Sequence, residues 1–450
     1  MINLCANTEA EYYALEELHD AMGIITDTPV YFVVKGNQGN ISIKQGCKYI
    51  YFSDIKPEES FPLNVETYIN GSSLYINTDI FGCIVKEFSR SEESNNPKAR
   101  HGRMPLKESD AYKQGIYRVA YLDRLIGQFK EQFITYLNLQ GVSWTQEMPS
   151  KKRLICLTHD VDSIKGKSFI RYAFWFTKAL LSLKTKEIKQ VINLISTYMR
   201  LDEDPHFSFQ SFYEIEKYYG FCSTFFIMSL PFFLGREGRR YSLRRSDIKE
   251  VLWRLSQNGW EIGLHPSRVT CLSKAKLKKE MNRFMSHIGN DNVSMGIRNH
   301  YLKASFPETW RIQEELGIQY DSSLGWYDSP GFRAGTSRPF RPFDAELNRR
   351  LNVWEIPLIV MDGSLQGSSD TIVAKCKMMA EEAFQYNTPF TILWHSDRLS
   401  EIEYSEFSDA YLKLLKYFKE MDCIGTTATN IVRSYQIYSQ EMSQHRKRIQ

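Results

Sequence analysis

From Leu154 onward, short apolar runs alternate with helical patterns, and this restricts the second part of the chain to a parallel sheet or a β/α barrel. The expected strands are 154–159, 223–228, 260–264, 295–298, 319–321, 353–357 and 390–394, close to the number that closes a barrel. Barrels collect their chemistry at the C-terminal ends of the strands. Asp160 and Asp162 stand at the first end, His265 at the third and Arg298, Asn299 and His300 at the fourth. Asp321 ends the fifth strand, and His395, Ser396 and Asp397 follow the seventh. A lone histidine beside a strand is usually a hydrogen-bonded core residue. Carboxylates, imidazoles and a guanidinium converging on one rim make a plausible hydrolytic metal site.

The first of these ends is the most informative. Leu154, Ile155 and Cys156 lead into Leu157, Thr158, His159, Asp160, Val161 and Asp162. Side chains alternate along a strand, so the two carboxylates share a face. Two like charges that close together are costly without a cation or a shared proton. The alternative is an Asp pair that caps a turn and the helix after it.

Residues 1–150 read as a separate accessory α+β domain, followed by a barrel domain over 151–440 with a helical insertion at about 165–205. Strand-like runs begin at Val30, Lys48 and Ser73, and turn signals at Gly36-Asn37, Gly39-Asn40 and Asn70-Gly71 suggest a small antiparallel sheet. The polar stretch 89–112 reads as a long loop, and 117–139 as a helix.

The net charge of +4 gives no reason to expect a nucleic-acid partner. Eight scattered cysteines with no Cys-x-x-Cys pair read as reduced core residues, which favours a cytoplasmic location. No basic-then-apolar leader opens the sequence, and no run reaches the roughly 18 apolar residues of a membrane span.

Taken in order, these motifs resemble the polysaccharide deacetylases, the NodB-type domain of carbohydrate esterase family four, over about residues 153–430. Thr158-His159-Asp160-Val161-Asp162 is similar to the first motif, and Ser223-Thr224-Phe225-Phe226 to the second barrel strand. Gly259-Trp260-Glu261-Ile262-Gly263-Leu264-His265 resembles the second motif, Gly296-Ile297-Arg298-Asn299-His300-Tyr301 the third and Ile392-Leu393-Trp394-His395 the last. The resemblance implies a distorted (β/α)7 barrel preceded by a small α+β domain. It also implies Asp160 as general base, Asp162 and His265 as metal ligands, Arg298 orienting the base and His395 as general acid.

The second histidine of the family's second motif is replaced by Val269, and His300 from the fourth strand is the candidate replacement ligand, with substrate contact as its other role. The metal implied is a divalent ion such as zinc, with cobalt, manganese or nickel as alternatives. Asp321, Trp326, Arg333, Trp394 and Asp397 are candidates for substrate contact, with Tyr327 as a further rim aromatic. The implied reaction is hydrolysis of an N-acetyl group from a hexosamine-containing glycan or a lipid-linked glycan precursor in envelope or exopolysaccharide biosynthesis. A small N-acyl or amidine substrate is one alternative, and an inactive glycan-binding barrel is another, favoured by Val269.

The insertion carries Lys165, Lys167, Arg171, Lys178, Lys184, Lys186, Lys189 and Arg200 against Glu187, with Phe169, Tyr172, Phe174, Trp175 and Phe176 near its start. Such a segment suits peripheral contact with an anionic membrane, or a lid packed on the barrel. His445, Arg446, Lys447 and Arg448 read as a solvated tail.

Overall fold

The computed structural model describes residues 1–34, 48–52, 64–94, 96, 99, 102–165, 173, 176, 177, 180, 181, 185–200, 204–229, 241–288 and 295–449. The chain opens with β1 (Ile2–Cys5), the helix Glu9–Met22, β2 (Ile24–Thr26), β3 (Val30–Val34), β4 (Lys48–Phe52), β5 (Thr67–Asn70) and β6 (Ser73–Ile76). Thr8 and Glu11 close a capping box at the start of the first helix. Gly23 ends it at φ 66°, where a Cβ would meet the Glu147 carbonyl.

This sheet is mostly parallel, not antiparallel as expected. β1 pairs with β3, β3 with β4 and β4 with β6 in parallel, and only β5 runs antiparallel, to β6. All of β3 is buried, and a strand apolar on both faces is the mark of a covered parallel sheet. The Asn70-Gly71 signal makes a hairpin between β5 and β6, whereas Gly36-Asn37 and Gly39-Asn40 lie outside the described residues. The opposite edge is filled from the far end of the chain, where Arg446–Ile449 pairs in parallel with β1. The expected solvated tail is therefore a strand, held also by Tyr12, whose hydroxyl donates to the Ile449 carbonyl at 2.6 Å.

β7 (Trp144–Gln146) pairs with β2, and the second sheet follows. It contains β8 (Leu154–Val161), β9 (Thr224–Ile227), β10 (Glu261–Leu264), β11 (Gly296–Ile297) and β12 (Tyr320–Asp321). After a hairpin of β13 (Phe343–Asp344) with β14 (Arg349–Arg350) come β15 (Trp354–Glu355), β16 (Val360–Met361), β17 (Phe390–Leu393) and β18 (Ile424–Thr426).

The order is β15-β12-β11-β10-β9-β8-β17-β16, with β18 beside the start of β8, and every pairing is parallel. Chain segment 356–359 joins the two edges: Ile356 donates to the Asp321 carbonyl at 2.9 Å and Ile359 to the Thr391 carbonyl at 3.1 Å. The curled sheet is thereby a distorted β/α barrel. β16 and β18 escaped the sequence reading because two and three residues are too short to show a period.

The polar stretch after Ser89 is not one long loop: it holds the helical turns Ser91–Ser94, Leu106–Glu108 and Asp110–Lys113. The helix expected over 117–139 begins at Tyr121 and runs to Leu139.

A seam joins this first part to the barrel. Phe88 stacks on Phe340 at 4.0 Å, Leu122 donates to the Gly335 carbonyl at 2.9 Å, and Thr336 donates to Asp123 at 2.6 Å. Arg333 and Arg90 both bond to Glu93. Among the described residues no helix is long and apolar enough to cross a membrane, and the seven cysteines are free thiols.

Candidate active site

β8 alternates faces as a strand must, so Thr158, Asp160 and Asp162 point to one side. His159 points to the other, into the core: its Nδ1 lies 2.8 Å from the Trp394 carbonyl and its Nε2 2.8 Å from Glu216. Arg298, fully buried just after β11, reaches the inner face. Its Nη1 donates to Thr158 Oγ1 at 2.6 Å and to Asp160 Oδ1 at 3.2 Å. Its Nε and Nη2 donate to the carbonyl and hydroxyl of Ser322 at 2.8 Å each. A guanidinium held on both edges can rotate no carboxylate away from it, so Asp160 is fixed in aim.

His265 follows β10. Its Nδ1 lies 2.6 Å from the Arg298 carbonyl, an oxygen that can only accept. The Nδ1 proton is therefore committed, and in the neutral ring Nε2 turns a lone pair toward Asp162 Oδ1, 3.3 Å away. His300 Nε2 lies 3.5 Å from the same oxygen. One ligand atom from each of Asp162, His265 and His300 falls within a 4.8 Å circle.

Asp162 Oδ1 is buried with no hydrogen-bond partner among the described residues. An orphaned carboxylate oxygen between two imidazole nitrogens is a donor set that fits a divalent cation. The electrostatics agree. Burial would push the Asp162 carboxyl up, yet His265 and His300 hold it well below the usual range. Burial would lower His265, but Asp160 and Asp162 raise it.

Across the cleft His395 follows β17. Its Nδ1 lies 2.6 Å from Asp362 Oδ1, and its backbone N–H donates to Asp362 Oδ2 at 2.8 Å. Burial opposes protonation, but Asp362 pushes the His395 imidazole up to about 10. At neutral pH it carries a proton on Nε2, which lies 4.0 Å from Asp162 Oδ2. Asp362 went unrecognised in the sequence; its only signal was its place after β16, itself invisible.

Of the expected site residues the structure brings six together: Asp160, Asp162, His265, Arg298, His300 and His395. Asp397 also lines the cleft, a hollow of about 190 Å³ bordered by Tyr301, Ser396 and Arg398. Four expected substrate contacts are not there. Asp321 is fully buried behind the barrel wall, accepting from Gln313 at 2.7 Å and Ser323 at 2.5 Å, with burial raising it to about 6.

Trp394 packs in the core against Tyr411 at 5.4 Å. Trp326 is buried with Ala99, Met104 and Leu106, and Arg333 lies over its ring at 5.1 Å while bonding Glu93 in the seam. Alternation sends the residue next to an inward one outward, and neither Asp321 nor Trp394 escapes that. The exposed aromatic on the cleft is Tyr301, stacked on His300 at 3.9 Å. Val269 is exposed.

No protein-family profile and no curated protein matches the chain. Among solved structures it is similar to a candidate polysaccharide deacetylase from Mycobacterium smegmatis at 13% identity and TM-score 0.43, over 65% of this chain and 93% of that one. It is also similar to an allantoinase at 14% identity and TM-score 0.40, over 64% and 92%. A peptidoglycan deacetylase from Bacillus subtilis follows at 14% identity and TM-score 0.32, over 66% and 98%. Such distant likenesses transfer no activity, so function has to come from the side chains in the cleft.

Proposed function

We propose that this protein is a metal-dependent N-deacetylase acting on a hexosamine-containing glycan or its lipid-linked precursor. The observation that carries the reading is a buried, oriented carboxylate, Asp160, and an imidazole backed by Asp362, His395, both beside one three-ligand cluster. A divalent cation held by Asp162, His265 and His300 would supply Lewis acidity to the acyl carbonyl and acidify water.

Asp160, aimed by Arg298, takes the proton of the attacking water. His395 Nε2 gives a proton to the departing amine nitrogen, and Asp362 stabilises the imidazolium before it does so. One water is consumed, the C–N bond breaks, and acetate and a free amine leave. Tyr301 offers the cleft an aromatic face of the kind that sugar rings pack against.

The test is zinc or cobalt content of the purified protein followed by acetate release from N-acetylated oligosaccharides. Stoichiometric metal and acetate release, both lost in Asp162→Ala, would uphold the reading. Absence of acetate from metal-loaded protein with any N-acetylated glycan or small N-acyl compound would overturn it and leave a glycan-binding barrel.

A lipid-linked substrate would suit contact of residues 165–200 with an anionic membrane. Phe169, Tyr172, Phe174 and Trp175 lie outside the described residues, but Leu181, Ile192 and Met199 are exposed beside basic positions of the segment. Co-sedimentation with phosphatidylserine vesicles but not phosphatidylcholine ones would support this contact, and equal binding to both or to neither would end it.

A further inference from the structure

Tyr301 sits on the cleft at φ 63°, with Leu302 following at φ 53°. Two consecutive side-chain-bearing residues in the left-handed region are strained and persist only where the surroundings hold them. The holding comes partly from the other region of the molecule: Ala304 donates to the Gly102 carbonyl at 2.9 Å, so segment 102–104 lies along 301–304. Arg103 is thereby placed with its guanidinium 3.8 Å over the Tyr327 ring and 5.7 Å from the Tyr301 ring. Arg103 thus packs on Tyr327 and lies near Tyr301, whose ring is stacked on His300.

Aromatic faces satisfy a guanidinium's charge but none of its five N–H donors, which point outward in its own plane. Among the described residues no carboxylate lies within 4.0 Å of Arg103, and its Nε is buried without a hydrogen-bond partner. Arg398, which lines the cleft, is ion-paired instead, its Nε 3.3 Å from Asp362 and 3.9 Å from Asp397. A desolvated, stacked arginine with unspent donors at the rim of a sugar-sized cleft is built for a planar or tetrahedral oxyanion.

Building on the deacetylase reading, we propose that Arg103 binds an oxyanion carried by the substrate next to its acetamido sugar, so that the substrate is an anionic glycan and the N-terminal region completes its site. The anion could be the phosphate of a lipid- or nucleotide-linked sugar or the carboxylate of an acidic sugar; the guanidinium chemistry is the same.

The test is titration calorimetry of the full-length protein with three probes: N-acetylglucosamine, N-acetylglucosamine 1-phosphate and N-acetylmuramic acid. The expected result is that at least one anionic probe binds wild type about tenfold or more tighter than the neutral sugar. Arg103→Gln would erase that preference while leaving the neutral sugar unchanged, and Arg103→Lys would restore part of it. A preference for the phosphate would point to a linked precursor, and a preference for the carboxylate to an acidic polymer.

Equal binding of all three probes by wild type, no binding of either anion, or an Arg103→Gln loss equal for charged and neutral probes would overturn the proposal. Tyr327→Leu, which removes the platform but none of the guanidinium's donors, guards against a folding artefact: it should weaken the anionic probe alone. Charge-selective binding without acetate release would sink the deacetylase reading and spare this one.

Discussion

Two clusters of buried charge lie on either side of the barrel's edge, and they differ in one respect. In the seam, Glu93 is bracketed by Arg333 and Arg90, and Arg333 also donates to the Gly325 carbonyl at 3.0 Å. In the cleft, Asp162 Oδ1 and His300 Nδ1 have no partner among the described residues. In the seam Glu93 has a guanidinium on each oxygen, whereas the cleft leaves ligand atoms unpaired around a shared hollow. Buried charge alone does not mark chemistry. Unpaired ligand atoms gathered round one hollow do, because an unpaired buried polar atom costs about 1–3 kcal/mol and a cluster of them invites a ligand that completes it.

The comparison can be broken most sharply at Asp160. Asp160→Asn should lower kcat for acetate release by on the order of 10²–10⁴ with metal content unchanged, measured by steady-state kinetics beside metal analysis. A mild effect would mean that the cleft is as structural as the seam.

Arg333→Ala tests the seam from the other side. It leaves Glu93 Oε2 without its partner while Arg90 still holds Oε1, and should cost about 1–3 kcal/mol in denaturant unfolding. The protein that remains folded should keep its metal; a specific loss of substrate affinity in it would return Arg333 to the cleft.

pH separates the two regions as well. Burial pushes Glu93 up, but Arg333 and Arg90 hold it below its usual value, so its contribution is present at neutral pH and lost as pH falls through the folded-state value. Arg333→Ala should therefore flatten the acid limb of a stability-versus-pH curve. His395 is raised to about 10, and its proton is lost only in strongly basic solution. Asp362→Asn removes the cause, and the alkaline limb of the rate profile should move down by about one pH unit or more. An unmoved limb would show that His395 is not the acid.

The smallest effect belongs to Asp397. It lines the hollow without bonding to the cluster, and Asp397→Ala should change KM by less than about threefold, leaving kcat alone.

The errors of the sequence reading have the same origin as the contrast. Arg333, Trp326, Trp394 and Asp321 are the residue types of a glycan site, and they stand near strand ends or in the run that follows them. What distinguishes them from Asp160 or His300 is which face they occupy and whether a partner waits there. Glu93, Gln313, Ser323 and Tyr411 are those partners, and Glu93 lies far away in the chain. The parallel N-terminal sheet was misread for a related reason: strand direction depends on what crosses over between strands, and turn-like dipeptides say little about that.

The sequence by itself determined the barrel and which strand-end residues gather in its cleft. Short strands each ending in a polar residue leave few ways to bury the apolar runs other than side by side, and side-by-side strands bring their ends together. Period-two alternation then put Asp160 and Asp162 on one face without any knowledge of the fold. Only the tertiary structure decided that Asp362 stands behind His395, that Arg446–Ile449 returns to the first sheet, and that Arg103 reaches the rim of the cleft. Each of these joins residues distant in the chain through packing, and no local pattern encodes a contact whose two halves are separately unremarked.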